Sequence, residues 1–487
     1  MPCNAESRYN AQGSTLLSSN PKSVCCACET PVLRRNKDTD FWLTAHRAQM
    51  SGVNVLAASR CCQSWIWPGK RTCEIDGSLM SAVMGRLTRA IALIVISSAV
   101  LSAAGCAAIT PRNALPQAAA TQIDPEGFHD IRHWGDEASP DIASLRPRRR
   151  GPASALRGSS AKGLNLLAIS GGAEDGAFGA GLLAGWGDAG NRPVFDLVTG
   201  VSSGALIAPF VFLGREHDGQ LREIFTSYGR KDIYAYDVKN LIEGSALVDD
   251  APLSKLIARY IDRDFLRDIA RESGKGRVLL IGTTDLDAQR PVLWDMGRIS
   301  ETDSLAALEL FRKVLLASAT LPGVFAPVRI KVRVGGKDYD ELHVDGGVTR
   351  QVFIALPIMR LVSEHASRRT VNGRLYIVRN GRIDPRWEPV NDDVLSVTQR
   401  SLSTLIKNQG IGDLYRIYSI AKVDGIDFNL ASIPTDFDVK ADASFDLKYM
   451  RALFDRGYEM GDRGFPWANN PPGLQTAVQL APAQRQF

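Results

Sequence analysis

The chain has 487 residues, enough for one large or two medium domains with a substantial core. With 45% hydrophobic residues, 23% charged residues and a net charge of +5, it reads as an ordinary globular protein and gives no basis for a nucleic-acid partner. All eight cysteines lie at or before Cys106, so the larger C-terminal part has no disulfide and no thiol nucleophile or ligand.

Residues 1–79 hold adjacent cysteine pairs and scattered Trp and Arg, without a sustained period of 3.6 or 2. They are expected to be unstructured, or a gene-model extension ahead of a start at Met80 or Met84. Cys25, Cys26 and Cys28 suggest a zinc knuckle, but a second ligand pair at standard spacing is missing. Residues 80–105 have the layout of a secretory signal. Arg86 and Arg89 precede the uncharged run "AIALIVISSAVLSAAGCAAIT", which closes on small residues. Ala103-Ala104-Gly105-Cys106 resembles a bacterial lipobox, with Ala103 where leucine is usual, and that resemblance implies lipidation of Cys106. A plain membrane-spanning helix over 90–110 is the alternative. Either reading puts the rest of the chain at the cell envelope, outside the cytoplasm and tethered to a membrane. Residues 106–160, rich in Ala, Pro, Arg and Ser and including "RPRRRGP", are expected to be a flexible linker. Its basic run is a solvated tether or a contact for anionic headgroups.

From Leu164 the pattern changes. "LNLLAIS" (164–170), "FDLVTG" (195–200), "VLLIGTTD" (278–285), "ELHVD" (341–345) and "RLYIVR" (374–379) read as buried strands separated by helical stretches. This predicts an α/β fold over 161–462: three layers, α/β/α, around a mostly parallel central sheet. Residues 463–487 read as a Pro-rich C-terminal tail. In such sheets ligands collect at the C-terminal ends of the strands, where both "SGG" and "GVSSG" fall.

Gly200-Val201-Ser202-Ser203-Gly204 lies between a strand and a helical run, the pattern of a nucleophile elbow with Ser202 central. Ser203 then sits on the first helical turn as a cap or a packed hydroxyl, and Pro209 is expected to kink the helix. The base is the difficulty. His46, His129 and His133 precede the domain, while His217 and His365 lie in polar stretches. His343 reads as a packed or hydrogen-bonded strand residue. This inventory fits a Ser-His-Asp triad badly. Asp345 ends an apolar strand just before Gly346 and Gly347. A carboxylate that ordinarily titrates at about 3.9 becomes a useful base only in a dry cleft; otherwise "DGG" is a turn. The loop "SGGAEDGAFGAG", which includes Gly176, could cradle a phosphate, yet it lacks the Lys-Ser/Thr of a P-loop and a clean G-x-G-x-x-G. The backbone N–H groups of Gly171, Gly172 and Ala173 can instead supply an oxyanion hole.

Glycine-rich loop, GxSxG elbow and DGG, in this order, resemble the patatin-like phospholipases. "TTDLDAQRPVLWDMG" (283–297), "LASATLPGVFAPV" (316–328) and "FDLKYMRALFDRGYEMG" (445–461) resemble further blocks of that family, so the likeness runs from about Leu164 to Gly461. The resemblance implies a Ser-Asp dyad with Ser202 as nucleophile and Asp345 as base. It implies an oxyanion hole at Gly171, Gly172 and Ala173, no metal or organic cofactor, and a phospholipid or other acyl-ester lipid as substrate. Many members carry Arg or Lys in the glycine-rich loop where this chain has Asp175, and Ala173 stands where a glycine is usual. A lipoprotein that binds lipid in the same cleft without catalysis is the alternative reading.

Overall fold

A computed structural model describes residues 112–119, 124–137, 163–236, 248–354 and 373–474. Cys106, His365 and the segments 1–79 and 80–105 lie outside these residues. Among the described residues no helix is long and apolar enough to cross a membrane.

The main sheet contains β1 (Arg132–Trp134), β2 (Leu164–Ile169), β3 (Leu197–Gly200), β4 (Val278–Asp285), β5 (Arg290–Asp295), β6 (Val328–Val334), β7 (Lys337–Asp345), β8 (Gly373–Arg379) and β9 (Ile426–Ser432). The order β9-β8-β2-β3-β4 is parallel throughout. β5 then adds antiparallel to β4, and β1 antiparallel to β5. Hairpin β6–β7 joins through β7, which pairs antiparallel with the end of β4. The predicted mostly parallel sheet with helical covers is thus present, extended by an antiparallel flank.

Strand β2 shows why both faces must be covered. Leu167 and Ile169 enter one apolar cluster, while Leu164, Leu166 and Ala168 enter the other. Alternate side chains of a strand point to opposite faces, so a continuous apolar run needs a layer on each side. Helices α1 (Gly176–Asp188), α2 (Ser203–Leu213), α3 (Leu305–Ser318) and α5 (Leu447–Asp462) contribute to the first cluster. On the opposite face lies the C-terminal part of α4 (Val394–Val423), through Leu414, Ile417 and Ala421.

The C-terminal block resembling the family holds α1 by interlocked glycines. A Cβ at Gly181 or Gly185 would come within 2.1 Å of the Phe454 or Tyr458 carbonyl oxygen. At Gly457 and Gly461 it would meet the Phe178 and Leu182 carbonyls at 2.4 and 2.2 Å. No side chain fits there, and the two backbones pack directly. Within the stretch expected as linker, residues 112–119 and 124–137 dock on the sheet: β1 pairs with β5, and Phe128 and Ile131 are buried. Apolar side chains spaced three apart gave too little periodicity to reveal this. At the other end, Phe465 and Trp467 of the predicted tail pack on the core, and Ala468 bridges Leu430.

Candidate active site

The sheet register brings Ser202 and Asp345 together. β3 ends at Gly200 opposite Ile281 of β4. β5 occupies the far edge of β4, so β7 takes the edge that β3 has just vacated, with Asp345 opposite Thr283. Asp345 therefore stands two β4 residues beyond the point where the chain leaves β3 for the Ser202 turn.

Ser202 has φ 55° and ψ −126°, a strained conformation for a residue with a Cβ and the kind found at functional turns. The motif glycines permit the turn by close approach. A Cβ at Gly200 would meet the Gly204 carbonyl oxygen at 2.4 Å, and one at Gly204 would meet that of Ile169 at 2.4 Å. Ser202 caps α2 by position, but its hydroxyl makes no capping bond. That hydroxyl lies within hydrogen-bonding reach of the Asp345 carboxylate. The Ser202 N–H donates to Ser318 Oγ at 3.0 Å, and Ser318 Oγ donates to the Gly282 carbonyl at 2.7 Å, pinning the elbow to β4.

Ser203 is different. It is buried with no hydrogen-bond partner for its hydroxyl among the described residues, and a Cβ at Gly176 would strike it at 2.7 Å. It is a packed serine. Pro209 lies inside α2, which runs unbroken to Leu213.

Asp345 is buried, and its Oδ1 accepts the Gly347 N–H at 2.7 Å. Burial pushes its carboxyl up to about 6, opposed by the bonds from Ser202 and Gly347. Gly346 and Gly347 are both required by contact: a Cβ on them would meet the Gly282 carbonyl at 2.4 Å and Gln351 Nε2 at 2.5 Å.

The glycine-rich loop backs onto the elbow, since a Cβ at Gly171 would sit 2.9 Å from Ser202 Cβ. Its three amides are not equivalent. The Gly171 N–H donates to the Gln351 carbonyl at 3.1 Å and is committed there. No hydrogen bond to the amide of Gly172 or Ala173 is present among the described residues. Ala173 has φ 49°, so the residue standing in for the usual glycine keeps a left-handed conformation at some cost.

Residues that sequence reasoning passed over hold this loop. Asn380 Nδ2 donates to the Ser170 carbonyl at 2.8 Å, and Asn380 Oδ1 accepts the Gly179 N–H at 3.0 Å. Gln351 Nε2 donates to the Gly347 carbonyl at 3.0 Å, and Asp413 accepts the Gln351 N–H at 2.8 Å. Asn380 directly follows a parallel strand, the position where ligand-side residues gather, and that was the available signal. Asp175 is half-buried and accepts from the Tyr449 hydroxyl; desolvation pushes its carboxyl up to about 6. Among the described residues the histidines stay out of the site. His343 is buried against Thr283 and Glu341, and His217 bonds Gln220.

No curated protein sequence matches this chain. Among solved structures, VipD from Legionella pneumophila is similar at 10% identity over 62% of this chain, with a TM-score of 0.28. The match spans 66% of the VipD chain, just under two thirds. Residues 167–358 match the family of patatin-like phospholipases. That match takes in the glycine-rich loop, the Ser202 elbow and the Asp345 turn, so residues 167–358 are similar to a patatin-like phospholipase domain.

Proposed function

We propose that the protein is a membrane-tethered serine lipid acyl hydrolase, phospholipase A-like, working through a Ser202–Asp345 dyad. The observation that carries this reading is the strained Ser202 beside a buried carboxylate of raised pKa, with no histidine in reach among the described residues. Ser202 Oγ attacks the ester carbonyl carbon while its proton passes to Asp345, which returns it to the departing alcohol. Water then repeats the sequence on the acyl-enzyme, giving the free acid and restoring Ser202. The Gly172 and Ala173 amides and the N-terminus of α2 supply donors for the oxyanion. Cys106, lipidated and made the new N-terminus, is the proposed anchor at the cell envelope.

A fluorophosphonate probe tests the nucleophile. Wild type and Ser203→Ala should label and Ser202→Ala should not. Equal labelling of Ser202→Ala, or no labelling of the wild type, would overturn the assignment. Mass spectrometry of the mature N-terminus tests the anchor, and an intact Met1 would overturn that part alone.

A further inference from the structure

Helix α4 is exposed at one end and buried at the other. Its last part packs on the sheet, yet Val394 is 85% exposed, Leu405 68%, and Val397 and Leu402 nearly half. At 100° per residue these four fall within one arc of about 140°, with Arg400 and Lys407 on the far side. Trp387, just before the helix, is 89% exposed. A single exposed leucine needs no explanation, but a Trp beside four exposed aliphatic residues on one helical arc, interrupted there by Thr398 and Ser401, does.

The topology places this stripe. α4 follows β8 and leads into β9, which are parallel, so the helix begins at the C-terminal edge of the sheet. That is the edge of Ser202. Gln409 Nε2 donates to the carbonyl of Val348, three residues after Asp345, and Val348 is itself exposed. A second line comes from the tether. Arg112 pairs with Asp287 in the turn after β4, and Ala114 bridges Asp340 on the hairpin that runs beyond the end of β4. The chain therefore enters the domain at the same edge. Five residues lie between Cys106 and Arg112, and the six steps along the chain reach about 20 Å at most. A spanning helix over 90–110 would leave even less.

We propose that the N-terminal half of α4, with Trp387, is a membrane-docking face that seats the Ser202 edge on the phospholipid bilayer in which the chain is anchored. The occupant is a lipid surface because the short tether holds this edge within about 20 Å of the anchor. Acidic and basic residues balance along 382–407, four of each, so the face suits zwitterionic lipid and inserts by apolar contact rather than by charge. The substrate side of this inference rests on the proposed hydrolase, and the docking rests on the proposed membrane anchor.

The test uses the full chain carrying Ser202→Ala, reconstituted in phosphatidylcholine vesicles with brominated acyl chains. Tryptophan emission should be quenched, and a share of that quenching should vanish in Trp387→Phe. Identical quenching with and without Trp387 would overturn the proposal. In the active protein, Val394→Asp with Leu405→Asp should lower hydrolysis of vesicle lipid at least tenfold and leave a monomeric short-chain ester unaffected. Equal loss on both substrates would show damage to folding or catalysis instead and would count against docking. A dimer in the wild type that the double variant abolishes would identify a second copy as the occupant and overturn the proposal. Absent hydrolysis of any ester, with Trp387 still quenched, would sink the hydrolase and leave the docking face standing.

Discussion

Glu341 and Asp345 are both buried acids on β7, four residues apart on the same side of the strand, and they are driven in opposite directions. Burial pushes Glu341 up, but bonds from His343 and Arg132 and their charge hold it at about 2. Arg132 reaches its two oxygens at 2.5 and 3.0 Å. Asp345 suffers the same desolvation with only a hydroxyl and one amide to answer it, and rises to about 6. The strand thus carries one acid held low and one left high, and what separates them is the His343 bond together with Arg132 delivered from β1. Asp285, Glu341 and His343 also converge within 4.8 Å, a donor set that a metal could use. Arg132 already occupies both Glu341 oxygens, which makes the cluster an ion-pair network.

Exchanging each acid for its amide gives the sharpest break. Asp345→Asn should cut ester hydrolysis by about 100-fold to 10,000-fold, the usual worth of a general base. Glu341→Gln should instead cost about 3–5 kcal/mol of stability by removing one charge of the buried Arg132–Glu341 pair, with activity kept in the folded fraction. Urea unfolding alongside initial rates separates the two. Equal kinetic damage from both would erase the distinction between structural and reactive acid.

The pH windows should also run opposite ways. Asp345 has a folded pKa raised from 3.8 to about 6, so its stabilising contribution is complete below 3.8 and lost as pH rises through 6. A rise of that size corresponds to about 3 kcal/mol, so Asp345→Asn should be more stable than wild type at pH 8 while inactive. Glu341 is lowered from 4.5 to about 2, so its contribution is present above 4.5 and lost as pH falls through 2. Activity should rise with pH through a single ionisation near 6. A wild type as stable as Asp345→Asn at pH 8 would argue that Asp345 carries no strain.

The Asp345 end of this comparison was legible in the sequence and the Glu341 end was not. Ser202 and Asp345 announce themselves through adjacent glycines, because a tight turn and a close backbone approach leave a local signature. Parallel strands such as β2 and β8 are continuous apolar runs and read equally well. β1 is three residues in a polar stretch, and β5 opens with Arg290-Pro291 inside a block notable only for its family likeness. Both exist through pairing with distant partners, which no local pattern encodes. The same holds inside the glycine-rich loop. Three consecutive amides look equivalent in the sequence, and only the Gln351 carbonyl, about 180 residues away in the chain, removes Gly171 from the set.

The smallest expected effect falls on His343, which lies between the two acids. Its Nδ1 and the Thr283 hydroxyl are 3.0 Å apart, and the same hydroxyl accepts the Trp294 Nε1–H at 2.8 Å. Its Nε2 is 3.3 Å from Glu341, and its ring meets Trp294 edge-on with centroids 5.5 Å apart. Thr283 lies on β4, Trp294 on β5 and Glu341 on β7, and none of these side-chain partners is Ser202 or Asp345. A glutamine at 343 can retain one hydrogen bond but loses the ring contact. His343→Gln should therefore cost about 1–2 kcal/mol in stability. Hydrolysis should stay close to wild type, and the ionisation near 6 should persist, because Asp345 rather than an imidazole titrates there. If His343→Gln were as damaging to the rate as Asp345→Asn, or removed that ionisation, a histidine would be handling the proton. The division between the two acids would then fail, because the ion-pair cluster would be part of the catalytic machinery.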